Sequence, residues 1–256
     1  MNRSTLRKIW GDLWTRKGRT LLVSLSIFIG VVGVVTLITA GDLLVKQLQE
    51  DIQEAELPML STFVTVPPSA GDIELDNQAY IDDLKSAFPD ITEAEGEANN
   101  PVYWKFGDEG RFREARMFSY TTSFADKTLE PMRLVEGEYP QPGQSEVAVE
   151  QRMADDYDFE VGDVIDLRML GIEGVPTEQW TISAIVFHAY NDASDLAMYA
   201  PYDDAQVITG IEGISILSVR FADFETAKAN KDTIQAYLNE NTPYSAIFVM
   251  AEDPAQ

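Results

Sequence analysis

Cysteine is absent from the 256 residues. That absence excludes disulfides, thiolate metal sites and thiol nucleophiles together, although exported domains often lack cysteine too and the compartment stays open. Histidine is almost absent: His188 stands alone, and no G-x-S-x-G elbow accompanies it, so a serine-based triad would need another base. No phosphate-binding G-x-x-x-x-G-K-[ST] run is present, so any ATP hydrolysis would have to come from a separate subunit. Positive charge is the third scarcity, with 19 Lys and Arg against 43 Asp and Glu and a formal net charge of −24. A surface this acidic repels phosphate backbones and anionic lipid, which argues against nucleic-acid binding by the folded part.

What basic charge there is gathers at the start. Residues 1–19 hold six of the Lys and Arg residues and one acid, Asp12. Leu6, Ile9, Trp10, Leu13 and Trp14 recur there at helical spacing among Arg3, Arg7, Lys8, Arg16 and Lys17, the pattern of a cytoplasmic amphipathic segment lying in the membrane interface. Residues 20–41 follow without a charge. At about 1.5 Å per helical residue they span roughly 30 Å, the thickness of a bilayer's hydrocarbon core. Arg16, Lys17 and Arg19 before this run and Asp42 after it put the N-terminus in the cytoplasm and the remainder outside. A cleaved signal peptide would have a shorter apolar region and small residues at both key positions, which Ile38 before Ala40 does not match. Ser26, Gly30 and Gly33 form a small-residue stripe that would admit a neighbouring helix. Beyond the span, residues 42–58 keep helix formers, with Leu44, Leu48 and Ile52 at helical spacing as far as Pro58, and are expected to form a stalk helix.

The rest reads as an α+β domain, and 45% hydrophobic residues suffice for one or two small lobes. A strand at 63–66, a helix at 77–88 carrying Tyr80, Ile81, Leu84 and Phe88 on one face, and a strand with a long polar interruption ending near Phe106 make a β-α-β unit over 59–106. A second such unit, over 206–256, has strands at 214–221 and 244–250 around a helix with Ala227, Ile234, Tyr237 and Leu238 inside. Together the two segments are expected to build one lobe, with a mostly β lobe, 107–205, inserted between them. The insertion's strand-like runs are EARMFSY, SEVAVE, DVIDLRML, QWTISAIVF and LAMYAP. GEYPQPGQ, VGD and GIEGVP break them as turns, and MADDY is the one short helix.

Candidate chemistry is thin. His188, after an apolar strand, is expected to be structural. Asp155/Asp156 and Asp203/Asp204 are the best carboxylate pairs for a hard cation, yet no loop has the calcium-binding spacing, and a solvated acidic face is the expected role. No catalytic, metal-ligating or cofactor-binding residue is therefore expected.

The stretch LVEGEYPQPGQSEVAVEQRMADDYDFEVGDVIDLRML resembles the extracytoplasmic core domain of MacB/FtsX-type ABC-transporter permeases. The likeness rests on a G-x-x-P turn at Gly137, Tyr139 and Pro140, then Glu146 to Val149, a short helix, and Val161, Gly162, Asp163, Ile165 and Leu167. MYAPYDDAQ downstream and WGDLWTRKGRTLLVSLSIFIGVVG at the start are also similar to that family. The glycines suit tight turns, and Asp163 can accept backbone amides within one. The resemblance implies a porter-like lobe formed by two chain segments and a β-rich insertion, in a bacterial inner or cytoplasmic membrane. It also implies a non-enzymatic permease, moved by a separate ABC ATPase subunit and working with a second permease copy or a homologous permease to export, extract or signal. Family permeases have four membrane helices, and this chain stops at Gln256, near where the second is expected. It is thus expected to be the N-terminal portion of such a permease or, alternatively, a single-span anchored binding or scaffold protein.

Overall fold

The computed structural model describes residues 17–67, 75–107, 110–169, 177–192 and 196–255. The amphipathic reading of residues 1–16 and the turn GIEGVP lie outside them. The chain forms two compact units, residues 1–52 and 53–256.

The first unit is α1, Lys17–Asp51, 35 residues long. Its stretch Leu21–Leu43 is long and apolar enough to cross a membrane, and none of it is buried inside the protein. Leu21, Leu22, Val23, Ile27 and Leu37, which point in different directions around the helix, are all exposed, an arrangement that water penalises and lipid accepts. Ser26 donates its hydroxyl to the Leu22 carbonyl at 2.9 Å, so its polar group is satisfied within the helix. The helix carries the first part of the expected stalk, 42–51, but ends at Asp51 and not at Pro58, and a 3-10 turn, Glu54–Glu56, follows. Helix spacing gives way there because tertiary partners take the backbone groups of residues 53–57.

Among the described residues, the second unit is built on one mixed, eleven-stranded sheet. On one side β1 (Leu60–Thr65) lies between β9 (Ile216–Phe221) and the short β10 (Ser245–Ala246) and β11 (Met250–Ala251). The helices α2 (Asn77–Ala87) and α5 (Phe224–Asn241) pack on this part. Both begin with an aspartate cap: Asp76 accepts from Ala79 N at 3.0 Å and Asp223 from Thr226 N at 2.9 Å, filling donors that the first turn leaves open. Leu60, Val64, Ile81, Leu84, Phe221 and Ile234 make the core between helices and sheet.

Strand β2 (Ile91–Phe106) is unbroken over 16 residues, polar stretch included. Its first half pairs with β9. Its second half pairs with β3 (Arg113–Tyr120) and, at residues 103–106, with β6 (Val164–Arg168) on the other edge. From β3 the pairing passes to β8 (Ala197–Tyr199), β5 (Glu146–Glu150), β7 (Glu178–Phe187), β6 and back to β2, closing a small barrel. Every strand of that ring contributes to one core, including Val102, Trp104, Met117, Val149, Leu167 and Trp180, closed by α3 (Gln151–Tyr157) and α4 (Tyr202–Thr209). Closure leaves few unpaired edges, the usual difficulty of a β-rich lobe.

The GEYPQPGQ turn is preceded by a strand absent from the sequence reading. β4, Arg133–Gly137, runs exposed along β7 as an edge. Gly137, φ +82°, ends it, and a Cβ there would sit 2.1 Å from the Ser183 carbonyl oxygen, so only glycine fits. At the second family-like turn, Gly162 has φ +99° and the Asp163 carboxylate accepts the Glu160 amide at 2.9 Å.

Candidate functional site

The sequence-predicted candidates do not converge. Asp155 and Asp156 are exposed on α3, and Asp203 is exposed at the start of α4. Asp204 spends its carboxylate on the Gly143 amide, at 2.8 and 3.1 Å. Among the described residues no group of three or more His, Asp or Glu is placed to hold a metal ion.

His188 is different. It lies at the end of β7, 4% exposed, with both ring nitrogens partnered: Nε2 is 2.9 Å from the Glu130 carbonyl and Nδ1 is 3.0 Å from the Tyr199 hydroxyl. A carbonyl only accepts, so the ring carries its proton on Nε2 and Nδ1 accepts from Tyr199. Burial pushes the imidazole down to about 4, and the cations Lys127 and Arg152 push the same way, so the ring is neutral at ordinary pH. Arg152 extends the network, donating to the His188 carbonyl at 3.1 Å while pairing with buried Glu150 at 2.9 Å.

Through Glu130, this network reaches the residues that follow α1 in the chain. The Glu130 amide donates to the Glu56 carbonyl at 2.8 Å. Tyr190 accepts the Gln53 amide at 3.1 Å and donates its hydroxyl to the Glu56 carboxylate. On the other flank Arg220 of β9 donates to the carbonyls of Glu54, at 2.9 Å, and Leu57. Residues 53–57 are thus held by the loop after β3, by the segment after β7 and by β9. Only Ile52 separates the last helical residue from the first held one.

Next to this clamp lies a charge cluster in which Glu95 and Lys127 are buried and Glu97 and Glu130 are half-buried. Period-2 alternation puts Glu95 and Glu97 on one face of β2, with Gly96 between them facing Ile214. Lys127, 6% exposed, pairs with Glu95 and lays its ammonium 3.7 Å from the Tyr120 ring centre. Burial raises the Glu95, Glu97 and Glu130 carboxyls, Glu97 to about 7, and Lys127 opposes the rise in each. Sequence reasoning passed over Glu56, Glu95, Glu97, Lys127, Glu130 and Tyr190. The one local signal was the Glu-Gly-Glu run inside a strand whose other end is apolar.

A separate open cleft of about 890 Å³ lies where α2, the loop after β3 and the start of α4 meet. Tyr120, Phe124, Tyr139 and Tyr202 line it together with Pro140, Pro142 and Pro201, while Asp76 and Asp203 stand among its polar groups.

Compared with known proteins, residues 20–255 match the family described as the MacB-like periplasmic core domain. Among solved structures, the chain is similar to the extracellular domain of the noncanonic ABC-type transporter YknZ from Gram-positive bacteria. That likeness has a TM-score of 0.52 at 12% identity and covers 73% of this chain and 99% of that one. It is also similar to the periplasmic region of MacB from Actinobacillus actinomycetemcomitans, with a TM-score of 0.53 at 12% identity, over 82% of this chain and 95% of that one. At this identity the likenesses speak for the fold. No curated protein matches the chain.

Proposed function

The chain belongs to the MacB-like periplasmic core domain family, found in ABC-type transporter permeases, and on that premise we propose that it is the N-terminal portion of a permease whose outer domain is moved by a separate cytoplasmic ATPase. Its N-terminus would face the cytoplasm and the domain the outside, in keeping with the basic residues before the apolar helix. The observation that carries the mechanical reading is the clamp on residues 53–57. A membrane helix transmits force to a folded domain only if the residues after it belong to that domain. Here hydrogen bonds with Tyr190, Glu130 and Arg220 tie them in, with only Ile52 between the helix and the first tied residue. A flexible linker would dissipate the same displacement.

The test is purification of the protein from its own membranes. A copurifying ABC ATPase, with a second permease subunit, is expected. Its turnover should fall, or lose its link to the outer domain, in Arg220→Ala combined with Tyr190→Phe. A protein recovered without any ATPase would sink this reading. It would favour the second one, an anchored binding or scaffold protein without transport, for which the aromatic-lined cleft is the supporting observation.

A further inference from the structure

The charge cluster next to the clamp has an uneven composition. Three carboxylates, Glu95, Glu97 and Glu130, face one ammonium, Lys127, and Glu95 takes its ion pair. For the Glu97 carboxylate the only hydrogen-bond partner among the described residues is the Asn99 amide at 3.5 Å. The other titratable groups around it are Tyr120 on β3, directly opposite in the register, and Tyr199 on β8. Glu93 on β2, Glu252 near the chain's end, Arg152 on α3 and Glu56 with Tyr190 complete the surroundings. A fully ionised cluster therefore carries excess negative charge where little water reaches it.

Glu130 joins this cluster to the clamp. Its side chain faces Lys127, while its backbone, held at φ 45°, donates to Glu56 and accepts from His188. We propose that the junction is a protonation-controlled latch: with Glu97 protonated the two remaining carboxylates, Glu95 and Glu130, share Lys127 and residues 53–57 stay seated, and with Glu97 ionised the loop bearing Lys127 and Glu130 is driven off β2, releasing them. The charge that changes is carboxylate charge. His188 stays neutral down to about 4, whereas Glu97 keeps its proton up to about 7, so between pH 5 and 8 the cluster gains negative charge and no compensating cation. This inference rests on the coupling reading above, for which the latch would set how firmly the helix and the outer domain are connected.

The experiment is hydrogen exchange on the full chain in lipid nanodiscs between pH 5.5 and 8, corrected for the intrinsic rate. The amides of Gln53 and Glu130 are expected to lose protection by about tenfold or more across that range, as a carboxyl raised to about 7 in the closed state requires. Glu97→Gln should keep them protected at pH 8. Should that variant fail to fold, infrared spectra of wild-type protein labelled with carbon-13 glutamate supply the second reading. A protonated-carboxyl band present at pH 5.5 is expected to vanish over the same range as the protection. Protection that does not change with pH, a full pH response in Glu97→Gln, or no protonated carboxyl at pH 5.5 would each overturn the latch. Failure to recover an ATPase would touch only the permease reading, because exchange at these amides reports the junction alone.

Discussion

The barrel and the junction beside it share strand β2, yet they are opposite in chemistry. In the second half of β2, Val102 and Trp104 enter a core of Met, Ile, Leu, Val and Trp side chains in a ring closed by hydrogen bonds. In the first half, Glu95 and Glu97 enter a cluster of carboxylates around one lysine. An apolar core stabilises one arrangement and responds little to conditions. A buried charge cluster adds little net stability, because desolvation offsets attraction, but its balance shifts with every proton. An apolar half and a charge-bearing half thus lie on one continuous strand.

Substitutions should separate the two halves. The largest effect is expected for Trp104→Ala, which removes a fully buried indole flanked by Tyr157 and Phe159 at 4.8 and 5.0 Å. A loss of about 3–5 kcal/mol, read by denaturant unfolding, should be the same at pH 5.5 and pH 8. Lys127→Met leaves Glu95 buried without its cation and should cost about 3 kcal/mol at pH 8, and visibly less at pH 5.5, because burial raises the Glu95 carboxyl and Glu97, at about 7, already holds its proton there. An equal cost at both pH values would erase the distinction between barrel and junction.

A smaller effect follows from Glu97 alone. Its folded-state carboxyl is raised from 4.5 to about 7, so the folded protein holds the proton that the unfolded chain releases between those values. Stability contributed this way is fully present below about 4.5 and declines to its lower level as pH rises to about 7, a change of up to about 3 kcal/mol. Thermal unfolding of wild type should show that decline and Glu97→Gln should flatten it. The smallest change is expected for Asp223→Ala, whose carboxylate caps the first turn of α5 at the surface. It should lower the thermal midpoint by less than Trp104→Ala or Lys127→Met, independent of pH across 5.5 to 8, and so calibrates what an ordinary surface loss looks like.

Much of this could be read from local pattern. The apolar span, the α+β composition, helices at α2, α3 and α5, and the alternating runs that became β3, β5, β6, β7 and β8 stand in the sequence because burial on one face imposes a period. Gly137 and Gly162 were legible for a similar reason, since a positive φ tolerates few other residues. β4 was missed because both of its faces are exposed, so burial leaves no alternation to see. The stalk was overextended because residues 53–57 keep helix-forming side chains while their backbone groups bind Tyr190, Glu130 and Arg220. The polar interruption in β2 is continuous strand, its carboxylates tolerated because Lys127 and neighbouring β3 and β9 receive them.

The sequence by itself determined a basic start, one helix long enough to span a bilayer, an acidic α+β domain and the family-like turns, all of them properties carried by neighbouring residues. Only tertiary structure decided that the strands close into a barrel and that Lys127 meets Glu95. It also decided that Glu56 meets Tyr190, 134 residues away, because a charge or hydroxyl reveals nothing of its partner until chain folding removes the water between them.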